Sequence, residues 1–444
     1  MVAPPKRRAP HKAIHYRTRD KGVFRNGSKS AGGEGEVDGD AEATKDNNNQ
    51  KDHQRGSSAS SSSSPSQTLN TSKHNQRLLD IFRTTFYELL TSSEFTPKLQ
   101  AVKQALFERD FARAFGEPEN LDVYAARWSP TRALCYASVL AGIKPQLEAI
   151  TTSTTSSLPP TTTAAAAASS DTQDPQPQPQ DEQQSSSSPS PSPSSPSYSS
   201  NLHVLSIGGC AAELVAFASL LSAHLPPSTS GSLTLVDSAP WSAVIDSLTE
   251  TILTPPPVSK YASAAVKARG PEPALIHPRS RLASSEFLQR DVLALGAKGL
   301  LSPLLLGRGG GPLLVTLLFT LNELFTAGGV GETTKFLLDL TSVVPFGSLL
   351  LVVDSPGSYS ETTLGKEAKR YPMQWLLDRI MLGTQREPVA GRRWKKLESH
   401  DSIWFRLNGE GLDYPIPLEN MRYQMHLYKV FDASLSEQDS NDDE

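Results

Sequence analysis

Residues 202–237 are the segment that most constrains how this chain can fold. The apolar run Leu202–Ile207 is followed by Gly208 and Gly209, an amphipathic stretch, and a second apolar run that ends at Asp237. This pattern predicts two parallel strands joined by a helix. Paired glycines allow a sharp turn after the first strand and close approach of a ligand to the backbone. In α/β nucleotide-binding folds an acid at the position of Asp237 holds ribose hydroxyls, so we expect a cofactor that contains adenosine.

The residues around the glycine pair indicate which adenosine cofactor to expect. A dinucleotide site has the pattern G-x-G-x-x-G, whose third glycine lets the helix lie close to a pyrophosphate, and this chain lacks that glycine. Glu213, in the first helical turn, would repel a phosphate and attract a cation. S-adenosylmethionine has an ammonium and a sulfonium group and no phosphate, so we expect it to bind beside Gly208, Gly209, Cys210 and Glu213. The alternative is that the glycines serve only a tight turn.

Composition divides the chain into parts that can fold and parts that cannot. The stretches from about Gly27 to Thr71 and from Thr151 to Ser200 are rich in Ser, Pro, Gly, Asn and Gln. Neither can bury enough apolar surface to offset its ordering entropy. We therefore expect a disordered basic arm and linker at 1–72, a helical layer at 73–150, a disordered insertion at 151–200, a catalytic domain at 201–432 and an acidic tail at 433–444.

Cysteine, histidine and charge content narrow the class of protein. Two cysteines exclude a disulfide framework and a cysteine-based zinc site, and nine scattered histidines give no metal-binding spacing, so we expect no structural metal. No apolar run reaches the length of a membrane span, and we expect a soluble intracellular protein without a membrane partner. Seven basic residues among the first 21 indicate a nuclear targeting signal or a tail that contacts phosphates. A solvated tail without a partner is the alternative.

Strands and helices alternate after residue 200, as in a parallel sheet. The predicted parallel strands are Leu202–Ile207, Ser232–Val236, Phe287–Gln289, Leu313–Phe319 and Ser348–Val353. Two further strands, Ile403–Arg406 and Arg422–Val430, have no helix between them and predict an antiparallel hairpin. The fold class is therefore α/β, with a Rossmann-like seven-stranded methyltransferase sheet of five parallel strands plus an antiparallel hairpin. A dinucleotide-binding domain would have a sixth parallel strand instead.

Helices are predicted from apolar spacing and from capping residues. Apolar residues recur every three or four positions from Leu78 to Leu89, which predicts a helix with one buried face. Thr96-Pro97 and Ser129-Pro130 each resemble a cap followed by proline in the first turn, so we expect helices to begin there. In the second half, the predicted helices are Ala212–Ala223, Ala239–Leu248, Asn322 through Phe325 to Asp339, and Tyr371–Leu382.

Polar residues follow the third and fourth parallel strands, where ligands bind in open α/β sheets. Asp291 could accept a hydrogen bond from the adenine amino group, and Val292 could lie beside the ring. Asn322 and Glu323 follow the fourth strand and would face the methyl donor. Asp291 and Glu323 can instead be carboxylates that stabilise a helix start through the helix dipole.

A second set of candidates lies outside the predicted cavity. Arg392, Arg393, Trp394, Lys395 and Lys396 place an indole among four cations, and Arg127-Trp128 is a smaller example. Cations bind phosphates and an indole can stack on an unpaired base, so both segments are candidate contacts for single-stranded RNA. The alternative is a charged surface with one tryptophan packed inward.

The assembled motifs resemble those of the fungal large-subunit (25S) ribosomal RNA uridine-N3 methyltransferases. The resemblance extends from about Leu78 to Val430 without the two linkers, and depends on the strings Arg127–Ser138, Val204–Glu213, Phe319–Phe325 and Val352–Ser360. It implies methylation of a uridine ring nitrogen in ribosomal RNA by S-adenosylmethionine, in the nucleus and nucleolus, with ribosomal RNA or a pre-ribosomal particle as partner. One departure is Ser206, where many methyltransferases have an acid at the end of the first strand.

The roles expected for the two residues after the fourth strand follow from uridine chemistry. N3 of uridine bears a weakly acidic proton, and it becomes a nucleophile only as that proton leaves, so an acceptor must lie nearby. Glu323 is the candidate base, and Asn322 would orient a uracil carbonyl. Two alternatives remain: a catalytically idle, methyltransferase-like RNA-binding assembly factor, and a methyltransferase of the same fold that acts on protein or a small molecule.

Overall fold

The computed structural model describes residues 65–153, 198–258, 260–296, 298–299, 310–357, 361–364, 369–383, 387–407 and 411–434. The basic arm, nearly all of the Ser/Pro-rich insertion and most of the acidic tail lie outside these residues. The predictions made for those segments are therefore not tested by the structure.

The strands form the sheet that the alternating pattern predicts. They are β1 (Thr152–Ser153), β2 (Ser200–Ile207), β3 (Thr229–Asp237), β4 (Leu282–Gln289), β5 (Leu314–Leu318), β6 (Leu349–Asp354), β7 (Glu361–Leu364), β8 (Lys369–Pro372), β9 (Arg392–Phe405) and β10 (Met421–Asp432). The main sheet has the order β4-β3-β2-β5-β6-β10-β9, with β1 paired to the start of β2, while β7 and β8 form a separate hairpin. Strands β2 to β6 are parallel, and β10 is antiparallel to both β6 and β9. Five parallel strands closed by an antiparallel hairpin confirm the predicted fold class.

Helices cover both faces of this sheet. Along the chain they are α1 (Pro65–Thr85), α2 (Tyr87–Thr91), α3 (Phe95–Phe107), α4 (Phe111–Phe115), α5 (Pro118–Gly142), α6 (Lys144–Glu148), α7 (Ala211–Ser219), α8 (Ser242–Leu253), α9 (Ala264–Arg269), α10 (Leu321–Glu323), α11 (Val330–Val343) and α12 (Met373–Gly383). One apolar cluster joins α1, α3, α5, α7 and α8 to one face, and a second joins α11 and α12 to the other. Alternate residues of β6 belong to the two clusters, because successive side chains of a strand point to opposite faces.

Two predicted helix boundaries are wrong. Pro130 lies inside α5, a 25-residue helix that begins with Pro118, rather than at the start of a helix. Residues on both sides of Pro130 are buried, so packing outweighs the backbone hydrogen bond that proline cannot make. The helix expected from Asn322 to Asp339 is divided, because a π-helical turn, Leu324–Gly328, leads to Gly329 at a φ of +84°, where α11 then starts.

The ends of two other elements differ from the prediction. Strand β9 is 14 residues long, although only Ile403–Arg406 were expected to be extended. It is an edge strand with many exposed charged residues, so apolar alternation does not reveal it. Helix α1 begins at Pro65, inside the segment expected to be a linker.

Candidate active site

A cavity of about 930 Å³ lies at the carboxyl ends of the parallel strands. Its size is in the usual range for small-molecule sites. It brings together every predicted cofactor and catalytic residue except Gly209: Gly208, Cys210, Glu213, Asp237, Asp291, Val292, Asn322 and Glu323. Side chains of α5 also line it, which the sequence did not predict.

The glycine turn is required by the protein's own packing. Gly208 has a φ of +68°, which L side chains rarely adopt, and its N–H donates to the carbonyl of Val236 at 2.7 Å. A Cβ at Gly209 would lie 2.3 Å from the hydroxyl oxygen of Ser206. Ser206 is buried and accepts a hydrogen bond from Thr316 at 2.8 Å. The tight-turn alternative therefore accounts for both glycines without a ligand, so the case for a cofactor depends on the surrounding charges.

Buried carboxylates line the cavity near this turn. Glu213 accepts a hydrogen bond from the Cys210 backbone N–H at 2.8 Å, and burial raises the pKa of Glu213 to about 7. Asp237 accepts from the Ala239 N–H at 2.8 Å, and burial raises its pKa to about 6. Among the described residues, neither has an ion pair within 4.0 Å. A cationic ligand would favour the charged form of both, which fits the ammonium and sulfonium groups of S-adenosylmethionine.

Cys210 does not have the properties of a nucleophilic cysteine. It is the N-cap of α7, and burial raises the pKa of its thiol well above the usual range. A thiol that stays protonated is a poor nucleophile. The expectation that this residue lies beside the cofactor through its main chain remains a prediction.

The turn after β5 leaves two acceptors unpaired inside the cavity. Phe319 there has a φ of +57°, a strained conformation of the kind that clusters at functional sites. Asp354, whose pKa is raised by burial to about 6, accepts a hydrogen bond from the Asn322 N–H at 2.9 Å and fixes this turn. Asn322 Oδ1 and Glu323 Oε2 are buried without a hydrogen-bond partner among the described residues. Because unpaired buried acceptors are costly, they mark a place for a ligand that donates.

Asp291 and Val292 occupy the expected end of β4. One carboxylate oxygen of Asp291 accepts hydrogen bonds from the Leu293 and Ala294 N–H groups at 2.9 and 3.3 Å. The alternative of a helix-start carboxylate is thus correct for that oxygen. Both Asp291 and Val292 also line the cavity, so contact with adenine remains a prediction.

Arg132 is the main residue of the cavity that sequence reasoning missed. Its guanidinium lies 5.5 Å from the ring centre of Tyr124 and 5.7 Å from that of Phe319, and it donates a hydrogen bond to the Tyr124 hydroxyl. No carboxylate of the described residues lies within 4.0 Å of it. The string Arg127–Ser138 could have signalled it, but the insertion before β2 hides how α5 docks.

The segment predicted to bind RNA does not form the expected surface. Trp394 is completely buried, and its indole N–H donates to the Thr341 hydroxyl at 2.9 Å. The prediction that Trp394 stacks on a base is therefore wrong. Lys396 forms an ion pair with Asp378 at 2.6 Å. Arg392 donates to the carbonyl of Val344 at 2.8 Å. The alternative of an inward-packed tryptophan is the correct one.

The same segment is also far from the cavity. Lys395 lies opposite Lys429, and Lys429 lies opposite Leu349 at the start of β6. Arg393 and its neighbours are therefore at the amino ends of the parallel strands, whereas the cavity is at their carboxyl ends. An RNA contact there could not reach the methyl donor directly.

The Arg127-Trp128 pair is divided between the interior and the cavity wall. Arg127 is buried and forms an ion pair with Glu419, and Trp128 packs against Tyr124 with their ring centres 4.9 Å apart. The prediction of an RNA contact is wrong for Arg127, because its guanidinium is buried and paired with Glu419. For Trp128, which is half-buried, it remains a prediction. Trp128 lies in the cavity wall.

The part of the chain that the structure describes has neither a candidate membrane span nor a candidate metal site. No helix there is long and apolar enough to cross a membrane. No group of three or more His, Cys, Asp or Glu side chains there is arranged to hold a metal ion.

Solved structures with similar folds include methyltransferases of several kinds. A SAM-dependent methyltransferase of Methanosarcina mazei covers 51% of this chain and 91% of its own length, with 10% identity and a TM-score of 0.25. The 16S rRNA (adenine(1408)-N(1))-methyltransferase of Catenulisporales acidiphilia covers 52% and 88%, with 13% identity and a TM-score of 0.27. The identities and the TM-scores are low, so the assignment of the fold depends on the strand order of the sheet.

Sequence comparison gives a closer relationship. The profile of a family described as "Putative SAM-dependent methyltransferase" matches residues 82–429. The 25S rRNA (uridine(2843)-N(3))-methyltransferase of Saccharomyces cerevisiae is 31% identical over 378 residues, which are 80% of this chain and 85% of the yeast protein. Together with the strand order and the charged cavity, these matches show that the chain belongs to this family of S-adenosylmethionine-dependent methyltransferases.

Proposed function

We propose that this protein methylates N3 of a uridine in the RNA of the large ribosomal subunit. The observation that carries the reaction type is the pair of unpartnered buried acceptors, Asn322 Oδ1 and Glu323 Oε2, in the same cavity as the buried carboxylates. The substrate is proposed from the name of the yeast relative, which shares 31% identity over most of both chains.

The cavity has a suitable group for each part of the cofactor. Asp237 would hold the ribose hydroxyls, Asp291 and Val292 the adenine, and Glu213 the ammonium group. Arg132, which lines the cavity and has no carboxylate of the described residues within 4.0 Å, would hold the carboxylate of the methionine part, because a guanidinium binds carboxylates through two parallel hydrogen bonds. When bound, the cofactor supplies an electrophilic methyl group on a positively charged sulfur.

The turn after β5 would prepare the uridine. Glu323 would accept the N3 proton as the nitrogen becomes a nucleophile, and the Nδ2 group of Asn322 would donate a hydrogen bond to a uracil carbonyl. Asp354 acts as a positioning residue, since its carboxylate holds the Asn322 backbone at 2.9 Å. The target base must leave its stack to enter the cavity, as for other enzymes that modify bases.

The decisive variant is Glu323→Gln, which keeps the shape of the side chain and removes the proton acceptor. We expect methyl transfer to fall by about 10²- to 10⁴-fold, the usual contribution of a positioned acid–base group. Cofactor affinity should change little. The assay is mass spectrometry of nucleosides from large-subunit ribosomal RNA taken from cells that lack the gene and incubated with each protein.

Glu332→Gln is the matched control, because Glu332 is an exposed glutamate in the first turn of α11. If Glu323→Gln methylates RNA as fast as the parent protein, Glu323 is not the base and serves only as a carboxylate that stabilises the helix start. If the parent protein methylates no ribosomal RNA but binds it, the idle assembly factor becomes the correct alternative.

The proposed site of action is the nucleus and nucleolus, where large-subunit ribosomal RNA is made and modified. The basic arm supports it, because a cluster of Lys and Arg can act as a nuclear targeting signal. Deletion of residues 1–25 should disperse a fluorescent fusion from the nucleolus. An unchanged distribution would contradict a role for the arm.

A further inference from the structure

An exposed aromatic residue with two cations lies on the edge hairpin at the cavity end of the sheet. Trp404 of β9 is 52% exposed, which is unusual for so large an apolar side chain. The guanidinium carbon of Arg406 lies 4.9 Å from its ring centre, and that of Arg422 lies 5.7 Å from it. We call Trp404, Arg406 and Arg422 the Trp404 platform.

Strand alternation explains why the three side chains share one face. Trp404 lies directly opposite Arg422 of β10, and Arg406 is two residues further along the chain. The residues on either side of Trp404, Ile403 and Phe405, point the other way and pack on the apolar cluster shared with the amino-terminal helices. The platform is thus held by a packed strand while its own face remains exposed.

The sheet register places the platform near the cavity. Gln424 lies opposite Asp354, the last residue of β6, and Arg422 comes two residues earlier on β10. With ordinary strand spacings, Trp404 is about 10 Å to the side of β6 and about 7 Å beyond its end. Surfaces that bind single strands engage about 4 to 16 nucleotides, so one strand can reach both the platform and the cavity.

Charge indicates the kind of partner. Both arginines are exposed, and no carboxylate of the described residues lies within 4.0 Å of either guanidinium. Arg422 makes one hydrogen bond, from Nε to the Ser402 hydroxyl at 2.8 Å. Two cations beside an exposed indole match a phosphate backbone and an unpaired base, whereas a protein surface would need acidic groups at the same spacing.

We propose that the Trp404 platform stacks on an unpaired base of the RNA substrate, next to the nucleotide that enters the cavity, while Arg406 and Arg422 contact flanking phosphates. This inference rests on the proposed function for the identity of the RNA. It moves the RNA contact from the Arg392–Lys396 segment, at the other end of β9, to the cavity end of the same strand.

The test measures RNA binding by the full-length protein with a labelled 12-nucleotide oligouridine and with large-subunit ribosomal RNA as probes. Trp404→Ala should weaken binding by about 5- to 150-fold, the usual loss for one stacked base, and Trp404→Phe should retain most of the affinity. Arg406→Ala and Arg422→Ala should each lower the slope of log affinity against log salt by about one. Calorimetric titration with S-adenosylmethionine verifies that each variant is folded.

Two matched controls lie away from the platform, one in the connection to the other edge strand, β4, and one at the far end of β9. Tyr261 is 85% exposed beside Lys260, in the connection that leads to the start of β4, and Tyr261→Ala should bind RNA like the parent. Lys395→Ala is the charge control on β9. The proposal would be overturned if Tyr261→Ala lost as much RNA affinity as Trp404→Ala, or if Trp404→Ala bound RNA like the parent. It would also be overturned if the parent bound neither probe.

The outcome also separates this inference from the proposed function. If Trp404→Ala loses RNA binding but the parent methylates no uridine, the platform stands and the proposed reaction fails. If the parent methylates ribosomal RNA and Trp404→Ala does so equally well, the reaction stands and the platform fails. If Trp404→Ala changes only self-association in sedimentation, the surface is a protein interface and the proposal is wrong.

Discussion

The buried carboxylates predict that cofactor affinity falls as the pH is lowered from 7 to 5. Burial raises the pKa of Asp237 to about 6 and that of Glu213 to about 7, so both become protonated in this range. A cationic ligand binds better to the ionised carboxylates. At low pH, binding of the cofactor therefore requires the two carboxylic acids to lose their protons. The dissociation constant should rise as the pH falls.

The size of the effect follows from the two pKa values. For one carboxylate that must be ionised, a pKa of about 6 gives about a tenfold loss of affinity between pH 7 and pH 5. A pKa of about 7 gives about a 50-fold loss over the same range. The observed loss should lie between about tenfold and a few hundredfold, depending on whether Glu213 must be charged as well as Asp237.

Stability of the free protein should change in the opposite direction. A carboxylate whose folded-state pKa lies above its unfolded value stabilises the fold below the unfolded pKa, and this stabilisation is lost as the pH rises through the folded pKa. The window for Asp237 and Glu213 is from about pH 4 to pH 7. Because the cofactor binds more tightly at pH 7, the rise in Tm on adding it should be larger at pH 7 than at pH 5.

Calorimetric titration at pH 5, 6 and 7 and constant ionic strength measures this dependence. S-adenosylhomocysteine, which lacks the positive charge on sulfur, should show a shallower pH dependence than S-adenosylmethionine. Asp246→Asn is the control, because Asp246 is an exposed carboxylate on α8 and its loss should leave the curve unchanged. Constant affinity between pH 5 and pH 7 would refute the electrostatic argument for a cationic ligand.

Two further variants test individual side chains. Arg132→Met should weaken binding of S-adenosylmethionine by about 10- to 150-fold, since a hydrogen bond to a charged group contributes about 1.5 to 3 kcal/mol. The same variant should bind decarboxylated S-adenosylmethionine as well as the parent does. Calorimetric titration with both ligands measures the two affinities. Equal losses for both would show that Arg132 only shapes the cavity. Trp394→Ala should lower the free energy of unfolding by about 3 to 5 kcal/mol in denaturant titrations, because it empties a buried site. A cost below about 1 kcal/mol would show that Trp394 is not a core residue.

The parts of the fold that depend on local pattern could be predicted from the sequence. The unit from Leu202 to Asp237 has apolar strands, a glycine turn and an acid, and these local signals place the cavity at the correct edge of the sheet. The part of strand β9 before Ile403 could not be predicted, since its exposed residues are mostly charged rather than alternately apolar. Trp394 was misinterpreted for the same reason: its neighbours in sequence are cations, and its neighbours in space are apolar.

Tertiary contacts decide the remainder of the site. Arg132 reaches the cavity only because α5 docks across the sheet, and the docking is made by residues distant in sequence. Arg127 pairs with Glu419, and the Tyr414 hydroxyl donates to the Ala126 carbonyl at 2.8 Å. These contacts join the amino-terminal helices to the segment between β9 and β10, which no local pattern could reveal.

The same docking explains how a long insertion can separate α5 from the strand that it helps to complete. Ser153 of β1 lies opposite Ser200 of β2, so the residues that flank the insertion are paired with each other. The contacts of α5 with Glu419 and Tyr414 hold this helix in place through residues outside the insertion. The helical layer and the sheet therefore form one site, in which Arg132 from before the insertion faces the carboxylates that come after it.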